Sequence, residues 1–232
     1  MARLKEIRVG ETPLTYSNQR GWFFHPSAHH VRQLLMHFLP ADFVLDGSSL
    51  LCVLFGNKPD EEPQSQQMLG STIYYVEPFD IGAYMASSPS ARQENMLRQL
   101  TAVLVHLADR AGADPAVIEN AASHLRACGF SLQIPVRKLW RVSPDKKLRI
   151  EVYRCLGSLI GEAWEAHVFD SARTLLAVEP ITSRPAYLDR TTHFSKSRWE
   201  GELFQIIQAG SNVVAYQLDT GNYKSWPAED GR

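Results

Sequence analysis

The stretch FDIGAYMASSPSARQENMLRQLTAVLVHLADRAGADPAVIENAASHLRACGF, residues 79–130, decides the fold class. Ser88-Pro89-Ser90 has the chemistry of a helix start. The Ser88 hydroxyl can accept from orphan N–H groups, and Pro89 has no N–H to waste at the first helical position. Ser90 and Gln93 offer a rival capping box one register later. Met96, Leu97, Leu100, Val103, Leu104, Leu107, Ala108 and Ala111 then recur every three or four residues, which makes one apolar stripe. Gly112 can take the left-handed conformation that ends a helix. Asp114-Pro115 starts a second helix by the same logic. Ile118, Ala121, Ala122, Leu125 and Cys128 give it a stripe, and Gly129 stops it.

Two helices joined by so few residues form a hairpin or corner. Their stripes need a cover, and the flanking segments that could supply it have strand composition. The expected fold is therefore α+β, with antiparallel strands in the N- and C-terminal halves packed around a central helix hairpin. One domain spanning 1–232 is expected, with lobes at 1–86, 87–129 and 130–219.

Outward toward the N-terminus, Leu4 to Val9 reads as a short edge strand ended by Gly10. Trp22-Phe23-Phe24 reads as a strand, and Pro26-Ser27 as the start of a helix carrying Val31, Leu34, Leu35, Phe38 and Leu39. Phe43-Val44-Leu45, Asp46-Gly47 and Leu50–Phe55 read as a hairpin, since Asp-Gly suits a tight turn. The almost wholly apolar second run predicts a central strand buried on both faces. Residues 57–70 hold almost nothing to bury and read as a mobile loop. Ile73 to Val76 returns to strand composition, and 79–85 to a short helical turn.

Toward the C-terminus, Leu132, Ile134, Val136, Trp140 and Val142 occupy alternate positions. Leu148, Ile150 and Val152 alternate with Lys147, Arg149 and Glu151, an antiparallel hairpin signal around the turn Ser143-Pro144-Asp145. Trp164, Ala166 and Val168 continue the alternation. Leu175 to Val178 and the pair Phe204–Ile207 and Val213–Leu218 supply further strands. Residues 182–197 read as a polar binding loop, and the tail from Thr220 as lightly docked.

Composition narrows the function classes. Of the 232 residues, 44% are hydrophobic and 21% charged, as in ordinary globular domains. The formal net charge of −1 argues against general attraction to nucleic acid or an anionic membrane. No apolar run has membrane-spanning length, and the N-terminus lacks the apolar core of a signal peptide. Cys52, Cys128 and Cys155, odd in number and widely spaced, read as buried free thiols in a reducing cytoplasm.

The search for chemistry finds no catalytic, cofactor-binding or metal-ligating set. There is no nucleophile elbow, phosphate loop, dinucleotide fingerprint or C-x-x-C pattern. His25, His29, His30 and His37 cluster in sequence, but Pro26 interrupts the first pair and two helical turns separate the last. Glu162 and Glu165 flank Trp164, and Glu200 and Glu202 flank Gly201. These carboxylates and histidines keep a hydrolase-like cleft as an alternative. Charge bias appears once, over 137–154. There Arg137, Lys138, Trp140, Arg141, Lys147, Arg149 and Tyr153 interleave cations with aromatics, a pattern that suits a protein interface or nucleic-acid stacking.

Phe79-Asp80-Ile81-Gly82-Ala83-Tyr84, Ser88-Pro89-Ser90-Ala91-Arg92 with its leucine-striped helix, and the Ser143-Pro144-Asp145 turn opening a basic strand resemble a group of bacterial proteins. Some of that group accompany secreted polymorphic toxins as immunity proteins. The resemblance covers the middle of the chain and carries no catalytic motif. It implies a cytoplasmic protein that blocks a cognate toxin by direct contact, without cofactor. The expected partner is thus a protein; nucleic acid and membrane are not expected partners.

Overall fold

The computed structural model describes residues 1–15, 21–182 and 194–224. The chain is α+β. It divides into two compact units, 1–132 with 156–161, and 133–155 with 162–232. The helix hairpin, read from sequence as a lobe between two others within one domain, belongs to the first unit.

In the first unit, β1 (Glu6–Glu11), α1 (Gly21–Phe38), β2 (Leu50–Phe55), β3 (Ser65–Met68), β4 (Ser71–Val76), α2 (Ile81–Ala86), α3 (Pro89–Ala111) and α4 (Pro115–Ala127) follow one another. The sheet order is β1-β2-β4-β3. β2 lies parallel to both β1 and β4, and β3 is antiparallel to β4. The N-terminal sheet is therefore mixed, where alternation and turn chemistry had predicted antiparallel pairing. Ile7, Val9, Leu51, Val53 and Phe55 are buried on one face of it. α1 packs on β1 and α3 on β4, and α1, α3 and α4 pack on one another.

The hairpin forms for the reasons its sequence gives. Ser88, extended at φ −63°, accepts from the Ala91 N–H, and Pro89 follows at the first turn. Met96, Leu97, Leu100, Val103, Leu104, Leu107 and Ala108 are all buried. Gly112 closes α3 at φ 71°, a conformation with little cost only for glycine. Asp114 caps α4 on the Ala116 N–H, and Ile118, Ala121, Ala122 and Leu125 are buried.

Four local expectations are corrected. Asp46-Gly47 makes no hairpin: the Asp46 carboxylate accepts from the Ser48 N–H at 2.9 Å, and the chain enters β2 between two parallel neighbours. Distant partners on both sides override the turn signal. Trp22-Phe23-Phe24 is helical, within α1, despite Pro26. Phe24 is drawn into an aromatic cluster, 5.4 Å from both Phe55 and Tyr84 and 6.0 Å from Phe79. The polar stretch 57–70 holds a strand, β3, on the sheet edge. Of the three free thiols, only Cys155 is fully buried.

The second unit comprises β5 (Leu132–Pro135), a 3₁₀ turn (Arg137–Leu139), β6 (Arg141–Val142), β7 (Leu148–Gly157), β8 (Gly161–Asp170), β9 (Leu175–Pro180), β10 (Phe194–Glu200), β11 (Leu203–Gln208), β12 (Val214–Asp219) and α5 (Gly221–Lys224), apart from the few β5, β7 and β8 residues that group with the first unit. The 3₁₀ turn interrupts what reads in sequence as one strand. One sheet runs β5-β7-β8-β9 with β6 beside β7, and the other runs β10-β11-β12. The inward residues Leu148, Ile150, Val152, Trp164, Ala166 and Val168 meet Phe194, Phe204, Ile206 and Leu218. Side chains tie the sheets together on both margins. The Ser197 hydroxyl donates to Leu139 O at 2.7 Å and the Arg141 Nε–H to Ser197 O at 3.1 Å. At the opposite margin the Tyr223 hydroxyl donates to Glu179. The expected binding loop 182–197 falls largely outside the described residues, and Phe194–Ser197 belong to β10.

Leu100→Ala should lower stability by about 2–5 kcal/mol, because it opens a cavity under α3. Ser88→Ala should cost only about 1 kcal/mol, the value of one cap. Urea unfolding followed by circular dichroism checks both, and an equal small loss from the two would contradict this ranking.

Candidate functional site

Strand alternation sorts β7 into two faces. Leu148, Ile150 and Val152 point into the core, so Arg149, Glu151 and Tyr153 point out. The same rule turns Glu165, His167 and Phe169 of β8 outward, opposite in phase to Trp164, Ala166 and Val168. β9 sets Val178 across from His167 and Leu175 across from Phe169, and β6 sets Val142 across from Arg149. Val142, Leu175 and Val178 are 51%, 48% and 46% exposed, so this sheet face carries open apolar surface among its polar groups.

At one end of it stands Trp140, half-buried and packed in part against the core. Its Nε1–H donates to Val152 O at 3.2 Å, which fixes the ring. The Arg149 guanidinium lies 5.1 Å and that of Arg137 6.0 Å from the ring centroid, both within cation–π range. A row of rings continues from it: Tyr153 at 6.1 Å, His167 4.5 Å beyond, and Phe169 a further 6.4 Å. Glu151 ties the row together. It accepts from Arg149 Nε at 2.6 Å and from the Tyr153 hydroxyl at 2.7 Å. Burial, reinforced by the Glu151 carboxylate, pushes the Tyr153 phenol up to about 12, so it stays a hydrogen-bond donor. Burial lowers His167 against the opposing pull of Glu151, so the imidazole is neutral near pH 7. Its Nε2 lies 3.3 Å from Glu165 Oε2.

Of the residues singled out in the sequence, Arg137, Trp140, Arg149 and Tyr153 come together here. Lys138 is exposed on the 3₁₀ turn, and Lys147 is exposed on the turn before β7. Arg141 does not join them: its guanidinium donates to Ser197 O, Lys138 O and Trp140 O and holds the turn against β10. In the sequence Glu151 stands out only as one of the polar positions alternating along the strand, and His167, Phe169, Val142, Leu175 and Val178 are not among the expected site residues. The outward phase of β8 and β9 was the signal that could have found them.

The remaining candidates do not converge. Glu162 and Glu165 lie on opposite faces of β8. Glu162 is fully buried, with Arg154 NH2 at 2.7 Å and Trp164 Nε1 at 2.8 Å. Glu200 and Glu202 flank the tight turn at Gly201, φ 60°, between β10 and β11. On α1, His25 and His37 are exposed, while His29 and His30 are buried. Among the described residues, no group of three or more His, Cys, Asp or Glu is placed to hold a metal ion. Among the described residues, no helix is long and apolar enough to cross a membrane.

Comparison with family models, curated proteins and solved structures returns no match.

His30 supplies a pH test of the first unit. Burial lowers its pKa from 6.5 to about 4, with the Gln93 hydrogen bond only partly opposing. The unfolded chain takes up the proton first as pH falls. The contribution is therefore complete above about pH 6.5 and is lost between there and pH 4, to the extent of about 3 kcal/mol. Chemical denaturation across that range should show this slope, and His30→Gln should flatten it.

Proposed function

We propose that the protein is a binding protein that inhibits a cognate bacterial toxin by direct contact, and that it does so through the outer face of β6–β9. The observation that supports this reading most is the Trp140–Tyr153 row. An aromatic whose ring is fixed by its own N–H and flanked by arginines loses little entropy on docking, and such residues dominate interface energetics. Exposed Val142, Leu175 and Val178 extend the row as apolar contact area.

Charge specifies the partner further. Arg149 is neutralised by Glu151. Arg137, Lys138, Lys146 and Lys147 have no ion-pair partner among the described residues. A local cationic surplus on a chain of net charge −1 selects an acidic patch on the partner. Base stacking is disfavoured, because Arg149 already lies over the Trp140 ring.

The test uses the purified full chain and the purified protein encoded beside it, measured by titration calorimetry. Nanomolar binding is expected, weakened at least about 30-fold by Trp140→Ala, and stopped-flow mixing should show slower association for Arg137→Glu. Absence of binding at micromolar concentration would overturn the reading. So would tight binding indifferent to both substitutions.

A further inference from the structure

The first unit contains a polar cavity of about 280 Å³, lined by Asp46, Ser65, Gln66, Gln67, Thr72, Leu107, Arg110 and Ala111. It lies under the C-terminal turns of α3, beside the β3–β4 edge. Its size is just below the usual range of small-molecule sites, which begins at about 300 Å³.

Asp46 is held there by a directed chain. Thr72 Oγ1 donates to Asp46 Oδ2 at 2.5 Å. Having only one proton, Thr72 must accept from Ser48, whose Oγ is 2.8 Å away. Ser48 accepts in turn from Gln67 Nε2 at 2.8 Å. The Ser48 N–H donates to Asp46 Oδ1 at 2.9 Å. Ser48 and Thr72 are 1% and 2% exposed, so the chain is shielded from water, and each bond polarises the next. The result is a carboxylate with fixed orientation. Arg110 stands on the cavity's helical wall. One of its nitrogens donates to Ser65 Oγ at 2.9 Å, leaving other donors of the planar fork open.

The decisive point is that these two charges line one cavity and do not pair with each other. Neither Asp46 nor Arg110 has an ion-pair partner among the described residues. Each is positioned by neutral hydrogen bonds and both line the same cavity, so a ligand with opposite charges at its two ends has a counterpart for each. Leu107 and Ala111 give that cavity an apolar wall, and Gln66 and Gln67 supply amide groups.

We propose that this cavity binds a free α-amino acid as its zwitterion, with the ammonium on Asp46 and the carboxylate in the fork of Arg110. A carboxylate alone would face Asp46, and an amine alone would face Arg110, so each half-ligand meets a repulsive group.

The experiment titrates the ¹⁵N-labelled full chain with glycine, L-alanine, L-glutamine and L-glutamate, and separately with ethylamine and acetate, each to about 20 mM. Expected is saturable binding of at least one amino acid, with shifts at 46–48, 65–67, 72 and 107–111. Ethylamine and acetate should bind at least about tenfold more weakly. Arg110→Gln, on an exposed helix position, should keep the native spectrum and weaken binding at least about tenfold, and Asp46→Asn should do the same. Absence of saturable binding by all four amino acids overturns the proposal. Binding unaffected by Arg110→Gln, or matched by ethylamine or acetate, overturns it equally.

Discussion

One register constraint underlies the second unit and the outer face proposed for binding: the phase of β7. With Leu148, Ile150 and Val152 inward, Arg149, Glu151 and Tyr153 have only the outer side to occupy. A slip by one residue would put an arginine and a glutamate among Trp164, Phe204 and Ile206 and expose three aliphatics. Burying that pair without partners costs several kcal/mol. The hydrophobic effect that forms the core thus also assembles the outer row. Trp140 obeys the same constraint, since its indole N–H is anchored on Val152 O.

The first unit rests on a different arrangement. β2 is apolar along its whole length and takes the centre of a mixed sheet, parallel to β1 and β4. Parallel neighbours require crossovers, and α1 supplies one of them. The helix hairpin then buries its stripes within this unit. The edge strand β3 is the least apolar element of the sheet. Its Ser65, Gln66 and Gln67 line the cavity that also holds Asp46 and Arg110.

Local chemistry was the most readable part of the sequence. Ser88, Gly112 and Asp114 end and begin helices where they stand, because caps act through backbone groups only a few residues away. The inward alternation of 148–152 and 164–168 was equally visible. Pairing was not. Asp46-Gly47 had the residues of a tight turn, and only distant partners decided that β2 would be parallel. Phe24, at the helical end of Trp22-Phe23-Phe24, packs on Phe55, Phe79 and Tyr84, which lie far away in sequence. For the same reason four of the seven residues chosen for the interface lie in the row. Arg141 left it for Ser197, a partner 56 positions downstream. The Asp46–Arg110 juxtaposition spans a loop, a strand edge and a helix end, and no spacing rule announces it.

The central claim is that the outer row of β7 and β8, with Trp140 at its end, is the surface that a protein partner covers. Hydroxyl-radical footprinting of the full chain, alone and in complex with the protein encoded beside it, measures this directly, side chain by side chain. The account predicts that oxidation of Trp140, Tyr153 and Phe169 falls sharply in the complex, while that of Met68 on β3 does not change. A saturated complex in which Trp140 and Tyr153 react as fast as in the free chain would contradict it.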